Sequence, residues 1–183
     1  MKKSESSISV KNCIRNLKAE GIWKPLPERE NEIDFINVFF NLSFKSEIPS
    51  FLIISGPKFS GKTSVCHTCI LMSEFERHIL FLDCSDEDVY NFNVPTDGCR
   101  RLAILDNFIL QKNFDLIPFL HDINFSIIII MEQYEEINNL PVFENISRIN
   151  FSRYNKFQIK NILLESMKDC SSIVHENIIS RIA

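Results

Sequence analysis

The stretch FLIISGPKFSGKTSVCHTCILM, residues 51–72, constrains this chain more than any other. FLIIS is apolar without alternation, which suits a strand buried on both faces of a parallel sheet. The run stops at Gly56, crosses four residues, and meets a second glycine at Gly61. A helical run begins at once. Strand, tight turn and helix in immediate succession commit the chain to an α/β unit, because a parallel strand needs a crossover before its neighbour can be laid down. Two of the four glycines in the whole sequence lie in this one turn.

The unit repeats. HILFLDC (78–84), RLAILD (101–106) and FSIIIIM (125–131) read as further buried strands, and RINF (148–151) as a short fifth. PLPERENEIDFINVFFNL (25–42) reads as a loop feeding a helix whose apolar face is Ile33, Ile36, Val38, Phe39 and Phe40. SDEDVYNF (85–92) has room for a short helix with Ser85 as N-cap. NFDLIPFLHDI (113–123) predicts a short helix bent at Pro118. KFQIKNILLESMK (156–168) and SIVHENIISRI (172–182) are amphipathic helices. Residues 1–24 carry a weak helical pattern through Ile8, Val10, Ile14 and Leu17, a tail or a docking helix. Strands alternating with helices predict an α/β, doubly wound, five-stranded parallel sheet over residues 25–153, with the start of a small helical segment over 154–183.

Composition narrows the partners. Hydrophobic content of 45%, with sixteen Phe, fills a core and argues against disorder. The longest apolar run, SIIIIM, is far short of the roughly 18 residues a membrane helix needs. The basic N-terminus has no apolar segment behind it, so it does not read as a secretory signal, and the six Cys read as reduced thiols. Net charge is −4, yet residues 1–24 hold six Lys/Arg against two Glu. The remainder is therefore more acidic than the total, which disfavours a domain that grips duplex DNA alone.

The turn itself satisfies G-x-x-x-x-G-K-[ST]. Wrapping a triphosphate with backbone N–H groups requires side-chain-free positions at the two glycines. Lys62 then reaches the β- and γ-phosphates, and the Thr63 hydroxyl binds Mg²⁺. The nucleotide-binding set is Gly56, Pro57, Lys58, Phe59, Ser60, Gly61, Lys62, Thr63 and Ser64, and the ligands are ATP and Mg²⁺. The bland alternative is an ordinary strand–turn–helix connection. Asp106, pushed out of the end of RLAILD, is the candidate second metal ligand; alone, such an Asp would read as a turn cap. A GTPase would carry N-K-x-D, but the only Asn-Lys pair, Asn155–Lys156, runs into Phe157 and Gln158. The C-x-x-C of Cys66 and Cys69 has no second pair to complete a zinc site, and reads as buried small residues. DCSDED (83–88) lacks the glycine and distal Glu of a calcium loop.

The flanks carry a resemblance. LPERENEIDFINVFF (26–40) before the phosphate loop, ILFLDCSDE (79–87) and FENISRINFSRYNKFQIKNILLE (143–165) resemble, in order, segments of the AAA+ replication initiators, the origin recognition complex and its relatives. That resemblance implies an AAA+ domain over residues 25–153 and a partial helical lid over 154–183. It implies Pro27 and Arg29 at the adenine side, and Tyr154 at the hinge into the lid, near the base. Arg29 pairing with Glu32 and Tyr154 as plain core are the bland alternatives. It implies a subunit of a hetero-oligomeric ring or arc in the nucleus, meeting duplex DNA only through the complex, with no membrane.

The sequence departs from that family where turnover would be catalysed. Asn107 follows Asp106, where a hydrolysing enzyme carries an acid to activate water. The polar sensor expected after the fourth strand falls near Met131, beside Glu132, whose charge is wrong for a γ-phosphate. Arg148 aligns with the fifth strand rather than with an arginine finger. Residues 85–101 are shorter than the family usually shows. The expectation is an ATP-binding, hydrolysis-deficient subunit. An active P-loop ATPase or small kinase, and a P-loop interaction module without nucleotide, are the alternatives. The chain leaves no room after its second lid helix for a winged helix, so it is expected to be a reduced protein or a fragment.

Overall fold

The computed structural model describes residues 27–87, 89–90, 92, 101–132 and 146–166. The chain divides into two compact units: Asn31–Arg153, and a second that contains residues 27–30 and 154–166. Helix α1 (Glu30–Lys45) leads into strand β1 (Phe51–Ser55), helix α2 (Lys62–Met72), a 3₁₀ turn (Glu76–His78) and β2 (Ile79–Asp83). Then come β3 (Arg101–Asp106), two short helices α3 (Leu110–Asn113) and α4 (Leu116–Asp122), β4 (Phe125–Ile130) and β5 (Ile146–Asn150). Helix α5 (Lys156–Ser166) belongs to the second unit.

The five strands form one sheet in the order β2-β3-β4-β1-β5, and every neighbouring pair is parallel. The chain leaves β1, passes two strands to reach β2, returns through β3 and β4, and passes β1 again to reach β5. Right-handed crossovers place outbound α2 on one face of the sheet and returning α4 on the other. This is the doubly wound α/β arrangement the sequence predicts. Loops leave in opposite directions beyond the carboxyl ends of β1 and β3, and ligands of open α/β sheets bind at such a switch point.

Burial explains the unalternating strands. β1, β3 and β4 are buried at every residue, whereas β2 and β5, at the edges, are partly exposed. The odd-numbered side chains Phe51, Ile53, Ala103, Leu105, Phe125, Ile127 and Ile129 share a cluster with Leu116, Ile117 and Leu120 of α4. The even-numbered Leu52, Ile54, Leu102, Ile104 and Ile128 point to the other face and are also fully buried. Each such aliphatic side chain contributes about 1.5–3 kcal/mol over exposure. The three central strands are therefore a rigid base for the loops at their ends.

Two local expectations are corrected. Residues 84–87 and 89–90 form turns rather than a helix, and Ser85 caps nothing: its N–H and Oγ–H both donate to Asp83 Oδ1, at 2.9 and 2.7 Å. The 113–123 segment does not bend at Pro118. It breaks earlier, at Phe114–Asp115, and α4 starts afresh at Leu116. That puts Pro118 in a first helical turn, where its missing N–H has no intrahelical acceptor to lose. The helices expected over 1–24 and 172–182 lie outside the described residues.

Candidate functional site

The strand ends are locked in step by hydrogen bonds just beyond them. Met131 N–H donates to the Ile54 carbonyl at 2.9 Å, Phe108 N–H to Ile130 at 3.0 Å, Cys84 N–H to Asp106 at 2.8 Å and Phe151 N–H to Ser55 at 2.7 Å. The starts of four loops are thereby set side by side, with Asn107 and Glu132 lining one cavity.

The glycines earn their places by geometry. Gly56 has φ 145°, and a Cβ there would run into the Phe151 carbonyl oxygen and sit 2.9 Å from Phe151 Cβ. Gly61, at φ 90°, caps α2 in the left-handed region, and its carbonyl accepts from Val65 N–H at 2.9 Å. The first N–H groups of α2 are left without intrahelical acceptors and form an anion-binding end. Lys62, 8% exposed, folds back over the loop and donates to the Gly56 and Pro57 carbonyls at 2.7 and 2.9 Å. Burial lowers its pKa, opposed by the carboxylates of Glu132 and Asp106.

Across the mouth, Thr63 Oγ1 donates to Asp106 Oδ2 at 2.9 Å, and Asn107 N–H donates to Asp106 Oδ1 at 2.9 Å. Asp106 is 5% exposed. A hydroxyl and a carboxylate far apart in sequence are thus within one hydrogen bond, the oxygen donors a Mg²⁺ ion accepts alongside phosphate and water. The buried Ser60 Oγ has no hydrogen-bond partner among the described residues. The cavity measures about 820 Å³ and is lined by Lys62, Thr63, Asp106, Asn107, Met131 and Glu132 among others. The glycine cradle, the unpartnered hydroxyl and the Thr63–Asp106 pair fit a magnesium–nucleotide.

The other loop residues divide by what they can contribute. Phe59 lies at φ 63° with its side chain 95% exposed, so only its backbone can serve the loop. Lys58 Nζ is 3.3 Å from Glu132 Oε1. The Ser64 carbonyl accepts from Thr68 Oγ1 at 3.0 Å.

The ends of β3 and β4 show where Asn107, Met131 and Glu132 stand. Asn107 is left-handed, at φ 52°, and its Nδ2 donates to Asp83 Oδ1 at 3.0 Å. The bonds from Asn107 and Ser85 hold the Asp83 carboxyl below its ordinary value. Asp83 was not singled out by the sequence reading. Its signal was available: ILFLD ends on an acid as RLAILD does, and the register sets Asp83 opposite Asp106. Met131 is buried in the core cluster, so no polar sensor stands there. Arg148 is the middle residue of β5, opposite Ile53.

In the second unit the Arg29 guanidinium lies 4.2 Å from the centroid of the Tyr154 ring, a cation–π pair. The Tyr154 hydroxyl is buried and has no hydrogen-bond partner among the described residues. Asn161 Nδ2 donates to Glu28 Oε1 at 2.6 Å. Asn155 and Gln158 exchange bonds of 2.9 and 3.0 Å, a capping box that starts α5. The residues expected at the base, Arg29 and Tyr154, are thus brought together within this unit, and Pro27 begins a turn just before them.

Cys66 and Cys69 are fully buried in α2. Burial pushes the Cys66 thiol well up and that of Cys69 to about 12. Among the described residues no group of three metal-ligating side chains occurs, and no helix is long and apolar enough to cross a membrane.

A parallel β2-β3-β4-β1-β5 sheet with a glycine-bounded loop after β1 and an acid at the end of β3 is a P-loop α/β fold, one that AAA+ ATPases share. Solved structures of that fold are similar to this chain. Drosophila ORC bound to DNA matches with a TM-score of 0.72 and 14% identity, over 100% of this chain and 55% of that one. Cdc6p from Pyrobaculum aerophilum matches with a TM-score of 0.57 and 16% identity, over 80% and 51%. The Aeropyrum pernix Orc1 protein in complex with DNA gives 0.59 and 16%, over 79% and 50%. The chain spans about half the length of these proteins. No protein-family model matches the chain, and no curated protein does.

Proposed function

We propose that this chain is an ATP-binding, hydrolysis-deficient AAA+ subunit of an origin recognition complex, acting in replication initiation in the nucleus. Subunit 5 of that complex is the particular relative its flanking segments most resemble. The observation that carries the nucleotide half is the 2.9 Å bond from Thr63 Oγ1 to Asp106 Oδ2 across the mouth of a glycine-bounded loop. Three likenesses to replication proteins, one of them an ORC bound to DNA, support the other half. Fellow subunits are the proposed partners, in a ring or arc. Duplex DNA is met through the assembly, consistent with a net charge of −4.

Bound nucleotide supplies phosphate charge and an adenine face. The chain's own part is to hold it. The α2 N–H groups and Lys62 take the phosphates, Thr63 and Asp106 the Mg²⁺, and Arg29 with Tyr154 are the residues proposed for the base. Binding then stabilises the domain by mass action. Turnover is poorly served: Asn107 cannot take a proton from water, and its amide is engaged by Asp83. An arginine finger supplied by a neighbour is worth about 10³–10⁵ in rate, but it does not replace a base.

Steady-state ATP turnover of the chain alone and in its assembly is the test. Little turnover, with binding abolished or weakened in Lys62→Ala, is the expected result. Robust turnover removed by Lys62→Ala would instead identify an active ATPase or small kinase. A melting temperature indifferent to Mg-ATP would identify an interaction module. Restoring an acid by Asn107→Glu sets a carboxylate against Asp83, so the cleaner variant is Asn107→Glu with Asp83→Asn.

A further inference from the structure

Glu132 is the feature that the nucleotide-holding role leaves unexplained. It follows Met131, whose backbone is bonded to the end of β1, so it stands directly beside the start of the phosphate loop. Its Oε1 lies 3.3 Å from Lys58 Nζ, on the third residue of that loop. It lines the same cavity as Lys62, Thr63 and Asp106. Two carboxylates, Glu132 and Asp106, therefore bear on the single ammonium of Lys62, and both act to raise its pKa. Asp106 would be compensated by a Mg²⁺ ion held with Thr63. Within the loop the charge of Glu132 is opposed by its contact with Lys58, a pair more than half exposed on both sides, and through space by Lys62, which Asp106 shares.

The charge has a consequence for which nucleotide is held. Lys62 marks where the β- and γ-phosphates lie. A third phosphate taken by Lys62 would bring negative charge to the ammonium on which Glu132 also bears, in the cavity that both residues line. It must either displace Glu132 from Lys58 or sit near a carboxylate that an exposed ion pair neutralises only in part, and like charges repel. A diphosphate stops short of this conflict. It keeps the N–H groups of α2, Lys62 and Mg²⁺ without disturbing the Lys58–Glu132 pair. A neutral polar residue at the same place would donate to the γ-phosphate instead.

We propose that Glu132, paired with Lys58 at the mouth of the phosphate loop, cancels the usual advantage of a third phosphate, so that the site holds a nucleoside diphosphate at least as tightly as the triphosphate. The proposal rests on the nucleotide-binding role given above and specifies its ligand. It fits a subunit in which nucleotide is a fixed part of the structure, insensitive to the state of its last phosphate.

Isothermal titration of the full chain with Mg-ADP and with a non-hydrolysable Mg-ATP analogue tests it, on wild type, Glu132→Gln and Glu132→Asp. Wild type is expected to bind ADP at least as tightly as the analogue. Glu132→Gln is expected to move the ratio of affinities toward the triphosphate by threefold or more, while Glu132→Asp, which keeps the charge, leaves the ratio near wild type. Thermal unfolding shows whether the variants are folded; the site is exposed enough for both to be. A wild-type preference for the triphosphate of tenfold or more overturns the proposal, and so does a ratio unmoved in Glu132→Gln. Loss of ATP turnover in Glu132→Gln also overturns it, by making Glu132 the base. Binding of neither nucleotide to wild type would refute the nucleotide-binding role itself, a result distinct from an unmoved ratio.

Discussion

The phosphate loop and the ends of β3 and β4 line the same cavity and are built on different principles. The loop works through its backbone: two glycines in the left-handed half of conformational space, carbonyls that hold Lys62, and helix N–H groups aimed inward. The ends of β3 and β4 work through side chains whose partners come from elsewhere in the sheet: Asp106 with Thr63, Asn107 with Asp83, Glu132 with Lys58. The first kind of site tolerates no change in chain path. The second can keep its fold while exchanging chemistry, and under the proposed function the parts that would grip a nucleotide are kept while those that would turn it over are exchanged.

The contrast is most severely tested by Gly56→Ala. The added Cβ meets the backbone of Phe151, which cannot rotate away, and must adopt a positive φ. Strain and overpacking together should cost about 2–5 kcal/mol, read as a fall in denaturant midpoint. A variant as stable as wild type would show that the loop is not held against β5.

Lys62→Ala is next. It removes the only ammonium buried in the loop among the described residues and should weaken Mg-ATP binding at least tenfold, about 1.4 kcal/mol. Unchanged affinity would remove the loop from the site. Its stability should change little, because burial already lowers the Lys62 pKa and so offsets its two carbonyl bonds.

Phe59→Gly should stabilise the chain. A phenylalanine at φ 63° pays left-handed strain, and its 95% exposed ring has no packing to lose. Net of the added freedom of the unfolded chain, about 0.5–1 kcal/mol is expected as a higher melting temperature. A loss of stability would mean that the ring is engaged after all.

The smallest effect is at the end of β3. Asn107→Gly keeps the left-handed backbone and removes only the amide bonded to Asp83. The Asp83 carboxyl should then titrate upward, toward its ordinary value, as followed by carboxyl NMR. Its pKa is depressed in the folded state, so its contribution to stability is present above the ordinary value and lost as pH falls through the folded one. The variant should lose part of that acid dependence. An unmoved Asp83 would mean that Ser85 alone holds it.

Much of this was legible before any coordinates. Apolar runs without alternation gave the central strands, because a strand buried on both faces has no polar side to show. β5 was the least visible, since an edge strand such as ISRIN is half exposed and its pattern is weak. Glycine spacing gave the loop, since only a few backbone paths can surround a phosphate. The break at Phe114–Asp115 is not legible, because a proline bends a helix interior but fits a first turn, and residue spacing alone does not say which of the two Pro118 occupies.

By itself, then, the sequence determined the α/β order, the glycine-bounded loop after β1 and the absence of an acid after Asp106, all of which are local properties of residue type and spacing. Only the tertiary structure decided that Asn107 turns to Asp83, that Phe59 points out, and that Glu132 meets Lys58. Those are decisions about which side chains from distant segments share a space. They follow from sheet order and register, which set β4 between the phosphate loop and Asp106, and no local pattern encodes that placement.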